Sequence, residues 1–149
     1  VRELAFALEF KGHGGPVPGS STKRRARSTA PSQLLRAVLG PDGVRTSLEP
    51  VPGESAVLES QVERFPDGTF VEDGTITYGR AGSVSFETVG RGHVGPAPDG
   101  GGSHGVVTWR ITGGDGRFAG VQGLITSNFT VTPDGQVTDN HFARLYLPD

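Results

Sequence analysis

Gly113-Gly114-Asp115-Gly116-Arg117-Phe118-Ala119-Gly120-Val121-Gln122-Gly123 is the stretch whose reading decides the fold. Five glycines surround one bulky apolar residue, Phe118, and the segment Leu124 to Val131 that follows alternates in a pattern rich in β-branched residues. This is a sharp turn feeding a strand. Gly113, Gly114 and Gly116 are expected to supply positive φ, and Gly120 and Gly123 to leave room where a neighbouring backbone or ring comes close. Phe118 is expected in the core. A phosphate cradle does not fit, because a P-loop needs Gly-Lys-Ser/Thr opening a helix and the dinucleotide fingerprint also needs a helix after its glycines.

Outward from this stretch, Pro-Asp-Gly occurs at Pro41-Asp42-Gly43, Pro66-Asp67-Gly68, Pro98-Asp99-Gly100 and Pro133-Asp134-Gly135. Proline presets φ, Asp bonds its own backbone and Gly accepts the left-handed position, so each marks a hairpin between strands. Further breaks fall at Pro52-Gly53 and Gly79-Arg80-Ala81-Gly82. The spacing predicts strands at Glu3 to Lys11, Gly43 to Glu49, Ala56 to Phe65, Thr69 to Tyr78, Ser83 to Gly90, Gly105 to Thr112, Val121 to Thr132 and Gln136 to Leu147. Eight strands suit an all-β, closed antiparallel barrel forming one domain over residues 1–149, and closure would remove exposed edges. Ser32 to Leu39 reads two ways: Leu35 and Leu39 at i, i+4 favour a short helix plugging one barrel end, while Val38 and Leu39 would also suit a strand. Gly12 to Ala30, with Lys23-Arg24-Arg25-Ala26-Arg27, reads as a flexible loop or flap over the mouth. Gly95 to Ser103 reads as a second glycine-rich connection.

The pattern Gly-Gly-x-Gly-x-Phe-x-Gly-x-x-Gly at 113–123 resembles the signature of the allene oxide cyclase and dirigent barrels, and of the small bacterial polyketide cyclases sharing that barrel. The resemblance implies a cofactor-independent cyclase or isomerase that folds a polyketide-, polyene- or oxylipin-like molecule inside an apolar cavity. A preformed cavity can supply several kcal/mol by orientation alone. A non-catalytic hydrophobic binder or a dirigent-like protein shares the same signature, which the barrel needs structurally.

Leu4, Phe6, Leu8 and Phe10 share one face of the first strand, and Ala5, Ala7 and Glu9 the other. If the small face looks inward, Glu9 sits in a low-dielectric cavity and could act as acid or base. The plant allene oxide cyclases similarly bear an acid inside the barrel on their first strand, so the resemblance makes Glu9 the catalytic candidate. The bland alternative is a solvent-facing Glu beside Lys11. Glu72, Tyr78, Trp109, Asn128, His141 and Tyr146 are the candidates for lining a cavity, with the register of each strand deciding which way they point. The large aromatics Trp109 and Tyr146 would first fill volume.

The four histidines, His13, His93, His104 and His141, lack cupin or His-Glu-x-x-His spacing, so no metal is expected. No Gly-x-Ser-x-Gly elbow supports a serine triad. Among Glu59, Glu63, Glu72, Asp73 and Glu87, spacing selects no glycosidase pair. The 149 residues carry a formal charge of -2, 34% hydrophobic residues, 24 glycines and no cysteine, which fits a turn-rich β domain without disulfides or thiolate metal sites. No cofactor, nucleic acid or membrane partner is expected, only a hydrophobic small molecule, with room for a homo-oligomer. No apolar run has the length of a membrane span and the first ten residues lack a signal-peptide pattern, so the default location is cytoplasmic. The chain starts at Val1 without any Met, which leaves open the removal of an initiator or leader.

Overall fold

The computed structural model describes residues 1–149 and is built almost wholly of strands. These are β1 (Arg2–Pro16), β2 (Lys23–Ala30), β3 (Gln33–Gly40), β4 (Gly43–Pro50), β5 (Ala56–Arg64), β6 (Thr69–Tyr78), β7 (Ser83–Thr88), β8 (Gly92–Pro96), β9 (Ser103–Gly114), β10 (Gln122–Val131) and β11 (Gln136–Leu147). One turn of 3₁₀ helix, Gly116–Phe118, is the whole helical content.

Going round the barrel, β10, β11, β1, β2, β5 and β6 pair in that order, β7 and β8 together make one broken stave between β6 and β9, and the β9–β10 pairing closes the ring. All neighbours are antiparallel, giving a closed barrel of eight staves. The four Pro-Asp-Gly segments form the hairpin turns β3–β4, β5–β6, β8–β9 and β10–β11, each with its glycine at positive φ. In the 113–123 stretch the work is divided differently from the expectation. Gly116, Gly120 and Gly123 take positive φ; Gly123 is also a close approach, as expected, with a Cβ there 2.3 Å from the Arg144 carbonyl oxygen, and Gly114, expected to supply positive φ, is instead a second one, 2.4 Å from the Phe118 carbonyl oxygen.

Two segments depart from the sequence reading. Gly12 to Ala30 is no flap: Gly12 to Pro16 continue β1, and Lys23 to Ala30 form the stave β2, paired to β1 and β5. Its inward positions, Arg24, Ala26, Ser28 and Ala30, are charged or small, so the hydrophobic alternation that marks a stave is missing. Ser32 to Leu39 is no helix. Leu35 pairs with Leu48, Ala37 with Thr46 and Leu39 with Val44, forming a two-stranded hairpin outside the barrel. The i, i+4 leucines that suggested a helix lie at even spacing, which also puts them on one face of a strand. The Gly40–Gly43 turn and its partner strand decide between the two. Thus the eight staves include β2 and exclude Gly43 to Glu49.

Inward faces follow from burial. Leu4, Phe6, Leu8 and Phe10 of β1 face the core, as do Ile125 of β10 and Ala143, Leu145 and Leu147 of β11. At the end where Val1 and Leu147 lie, Phe118 is buried and packs on Tyr78 at 5.3 Å between ring centroids, with Phe6 edge-on to Tyr78 at 5.3 Å. That end is plugged. In the middle, Phe10, His141, Trp109 and Phe86 form an aromatic layer: Phe10 to His141 4.4 Å, His141 to Trp109 5.0 Å, Trp109 to Phe86 4.2 Å. Above it the interior turns polar.

Candidate functional site

The upper half of the barrel encloses a cavity of about 70 Å³ lined by Arg24, Ser28, Arg64, Phe70, Glu72, Phe129 and Asp139 among others. Glu72 points inward because it alternates with Phe70, Gly74 and Ile76 on β6. Its backbone is held by an unusual clamp where the β7–β8 stave breaks. The Glu72 N–H donates to Thr88 Oγ1 at 2.7 Å, and Thr88 Oγ1 donates back to the Glu72 carbonyl at 2.8 Å, so one side chain replaces two ladder bonds. On the other flank, Gly74 lets β6 lie tight against β5: a Cβ there would stand 2.3 Å from the Glu59 carbonyl oxygen.

Burial pushes the Glu72 carboxyl up to about 8, and the nearby Asp139 charge pushes in the same direction. Whatever surface Glu72 retains faces the cavity, so its surroundings are those of a buried group. Ser60 and the Trp109 indole stand close enough to favour the ionised form. Neither completes a hydrogen bond by strict geometry, and both Ser60 Oγ and Trp109 Nε1 are buried donors without a partner. Both donors are in place to turn to the carboxylate when Glu72 ionises.

Asp139 stands on β11 opposite Phe10 of β1 and Phe129 of β10. Ser127 Oγ donates to its Oδ1 at 2.6 Å, and His141 Nε2 donates to its Oδ2 at 2.8 Å. Asp139 is the centre of this chain, so Ser127 is a donor to a carboxylate and has no base to activate it as a nucleophile. With Nε2 engaged by Asp139, Nδ1 of His141 is left without a partner. Two carboxyl groups thus share one cavity: Glu72 is kept neutral by burial, and Asp139 is held in place by Ser127 and His141.

Of the residues singled out from sequence, Glu72, Trp109 and His141 come together in the upper half. Tyr78 is interior but belongs to the plugged end, where burial raises its hydroxyl pKa. Asn128 and Tyr146 stand on the outer wall. Glu9 is also outside: Phe10 and Leu8 take the inward positions, and Glu9 pairs with Lys11 at 3.7 Å. The packed apolar face of β1, not its small face, looks into the barrel, because the core needs its volume filled. Glu9 lines a separate, half-open groove of about 540 Å³ between the outer wall and Leu35 and Leu48 of the hairpin. That groove is larger than the interior cavity and also reaches Ser127 and His141, but it lacks the shifted Glu72 carboxyl. The interior is the site.

Asp139, Ser127, Arg24 and Arg64 were not singled out beforehand. The available signal for Asp139 was its place with His141 on the face that continues through Ala143, Leu145 and Leu147, where two polar residues interrupt an apolar row. Arg24 was masked by its neighbours in Lys23-Arg24-Arg25, which read together as one solvated run.

No protein-family model matches the chain, and no curated protein matches it in sequence. Two solved structures do match in shape. A pyocyanin demethylase superposes with TM-score 0.52 at 18% identity, covering 96% of this chain and 100% of that one. A pterocarpan synthase dirigent protein superposes with TM-score 0.54 at 12% identity, covering 99% of this chain and 90% of that one. The chain shares the closed antiparallel barrel fold with these two structures. At these identities the likeness carries the architecture alone, and the chemistry has to be argued from the interior residues.

Proposed function

We propose that the protein binds a hydrophobic small molecule in the upper half of the barrel and moves a proton on it, as a cofactor-independent isomerase or cyclase. The observation that carries this reading is two differently placed carboxyl groups facing one cavity, Glu72 raised by burial to about 8 and Asp139 held by Ser127 and His141, an arrangement suited to dividing acid and base roles. Glu72 donates a hydrogen bond to an oxygen on which negative charge develops. Asp139 takes a proton from the adjacent carbon and returns it further along the conjugated system. No electrons are gained or lost, so no redox partner is needed. Ser127 and His141 are positioning residues that fix the Asp139 carboxylate.

A compact β,γ-unsaturated cyclohexenone tests this directly, since its conversion to the conjugated ketone needs this proton shift and is followed by absorbance. The expected result is turnover that Glu72→Gln and Asp139→Asn each reduce by about a hundredfold or more. Activity should also fall as pH rises through about 8, where Glu72 loses its proton. Full activity in both variants would contradict the assignment. A non-catalytic binder is the second reading, favoured by the apolar share of the lining, which includes Phe70, Phe129, Val94 and Val131. Binding of the ketone without turnover would select it.

A further inference from the structure

We propose that the mouth of the barrel is an anion subsite, in which Arg24 and Arg64 receive the carboxylate of a ligand whose apolar body lies between Phe70 and Phe129. This rests on the reading of the interior as a ligand site and adds the chemical class of the ligand. Arg24 alternates inward with Ala26 and Ser28 on β2, and Arg64 alternates inward with Val62 and Ser60 on β5. Arg24 stands opposite Val62, one inward position from Arg64 along the neighbouring stave. The two guanidinium groups therefore share one end of the cavity.

The other basic residues of β2 point outward, and Arg27 pairs with Glu59 at 3.5 Å, but Arg24 and Arg64 take part in no ion pair. Burial first, and then the Arg24 charge, lowers the Arg64 pKa, as expected for two like charges held together in partial shelter. The acids of the same cavity form no ion pair with them: Glu72 is largely neutral below about pH 8, and the Asp139 carboxyl is engaged by Ser127 and His141. The mouth carries two guanidinium groups without an ion-pair partner over an apolar throat, and two forked guanidiniums suit a planar carboxylate. A charged group held at the mouth leaves the apolar remainder of the ligand directed toward Glu72.

Benzoate and benzamide test the proposal, because they share shape and differ in charge. Their affinities are read by amide and Trp109 indole shifts in NMR titrations at about pH 7 and low salt. Benzoate should bind about tenfold or more tightly than benzamide, in line with a charge-assisted pair. Arg24→Gln with Arg64→Gln should abolish that preference and leave benzamide unchanged. Removal of two repelling charges should not lower the melting midpoint; should the double variant nonetheless fail to fold, the salt response of the wild type decides. Raising sodium chloride from about 20 mM to about 0.5 M should weaken benzoate and not benzamide. Equal affinity of the two probes in the wild type, or a benzoate preference that survives either the double variant or high salt, would overturn the anion subsite while leaving the cavity as a ligand site. Failure of both probes to bind would overturn the ligand site and the subsite together. Glu72→Gln, which tests the acid–base reading, should leave the benzoate preference intact.

Discussion

The two halves of the barrel interior are built on the same staves and do opposite things. In the plugged half, inward residues such as Phe6, Tyr78, Phe118, Leu145 and Leu147 interlock into a core. In the open half, the same strands direct Arg24, Arg64, Glu72 and Asp139 inward around a cavity. The aromatic layer of Phe10, His141, Trp109 and Phe86 is the boundary between them. The difference teaches that stability and function are separated along the barrel axis: the lower half supplies the burial energy that tolerates costly ionisable groups above it.

Changing Glu72 should give the largest separation between the halves. Its folded pKa of about 8 lies above the ordinary 4.5, so between these values the folded state holds a proton that the unfolded state has lost. Stability from this group is therefore fully present below about pH 4.5, declines as pH rises and levels off above about 8. Each unit corresponds to about 1.4 kcal/mol, so Glu72→Gln should gain up to about 5 kcal/mol over the wild type between acidic pH and about pH 8.5. Urea midpoints of both proteins across that range measure it, and parallel pH curves would break the comparison.

Phe118→Ala strikes the other half. Phe118 is 6% exposed and closes the barrel end, so its truncation should cost about 3 to 5 kcal/mol at every pH. Benzoate should still prefer the mouth in this variant under conditions where it remains folded. An unchanged melting midpoint would show that the plug contributes nothing.

The hairpin should matter least to the barrel. Ala30 and Ala56 already pair across β2 and β5, and Val51 N–H donates to the Ser32 carbonyl at 2.8 Å, so the hairpin leaves and returns at one point. Replacing Gln33 to Pro50 with an Asn-Gly turn should change barrel stability by less than about 1 kcal/mol. A larger loss in calorimetry would mean that the hairpin is part of the core.

What the sequence revealed follows the same division. The plugged half obeys hydrophobic alternation, so Phe118 could be placed in the core, and Pro-Asp-Gly turns punctuate the staves at the mouth, so β6 and β11 could be delimited to the residue. The open half breaks those rules where it is functional. β2 could not be read as a stave because its inward residues are Arg24, Ala26, Ser28 and Ala30, and without β2 the pairing of β1 with its neighbour was hidden. Glu9 drew attention as the acid on a small face, but filling the barrel with Leu4, Phe6, Leu8 and Phe10 determines the register of β1 and turns Glu9 out. The meeting of Glu72 with Asp139 depends on closure of the ring through staves far apart in the chain, which no local pattern records.

The proton on Glu72 is the centre of the account. Carbon-13 NMR of the side-chain carboxyls, with Glu72 assigned by its loss in Glu72→Gln, follows that group alone through a pH titration. The predicted midpoint is about 8; a midpoint near the ordinary value of 4.5 would mean that Glu72 is ionised at neutral pH and cannot serve as the acid.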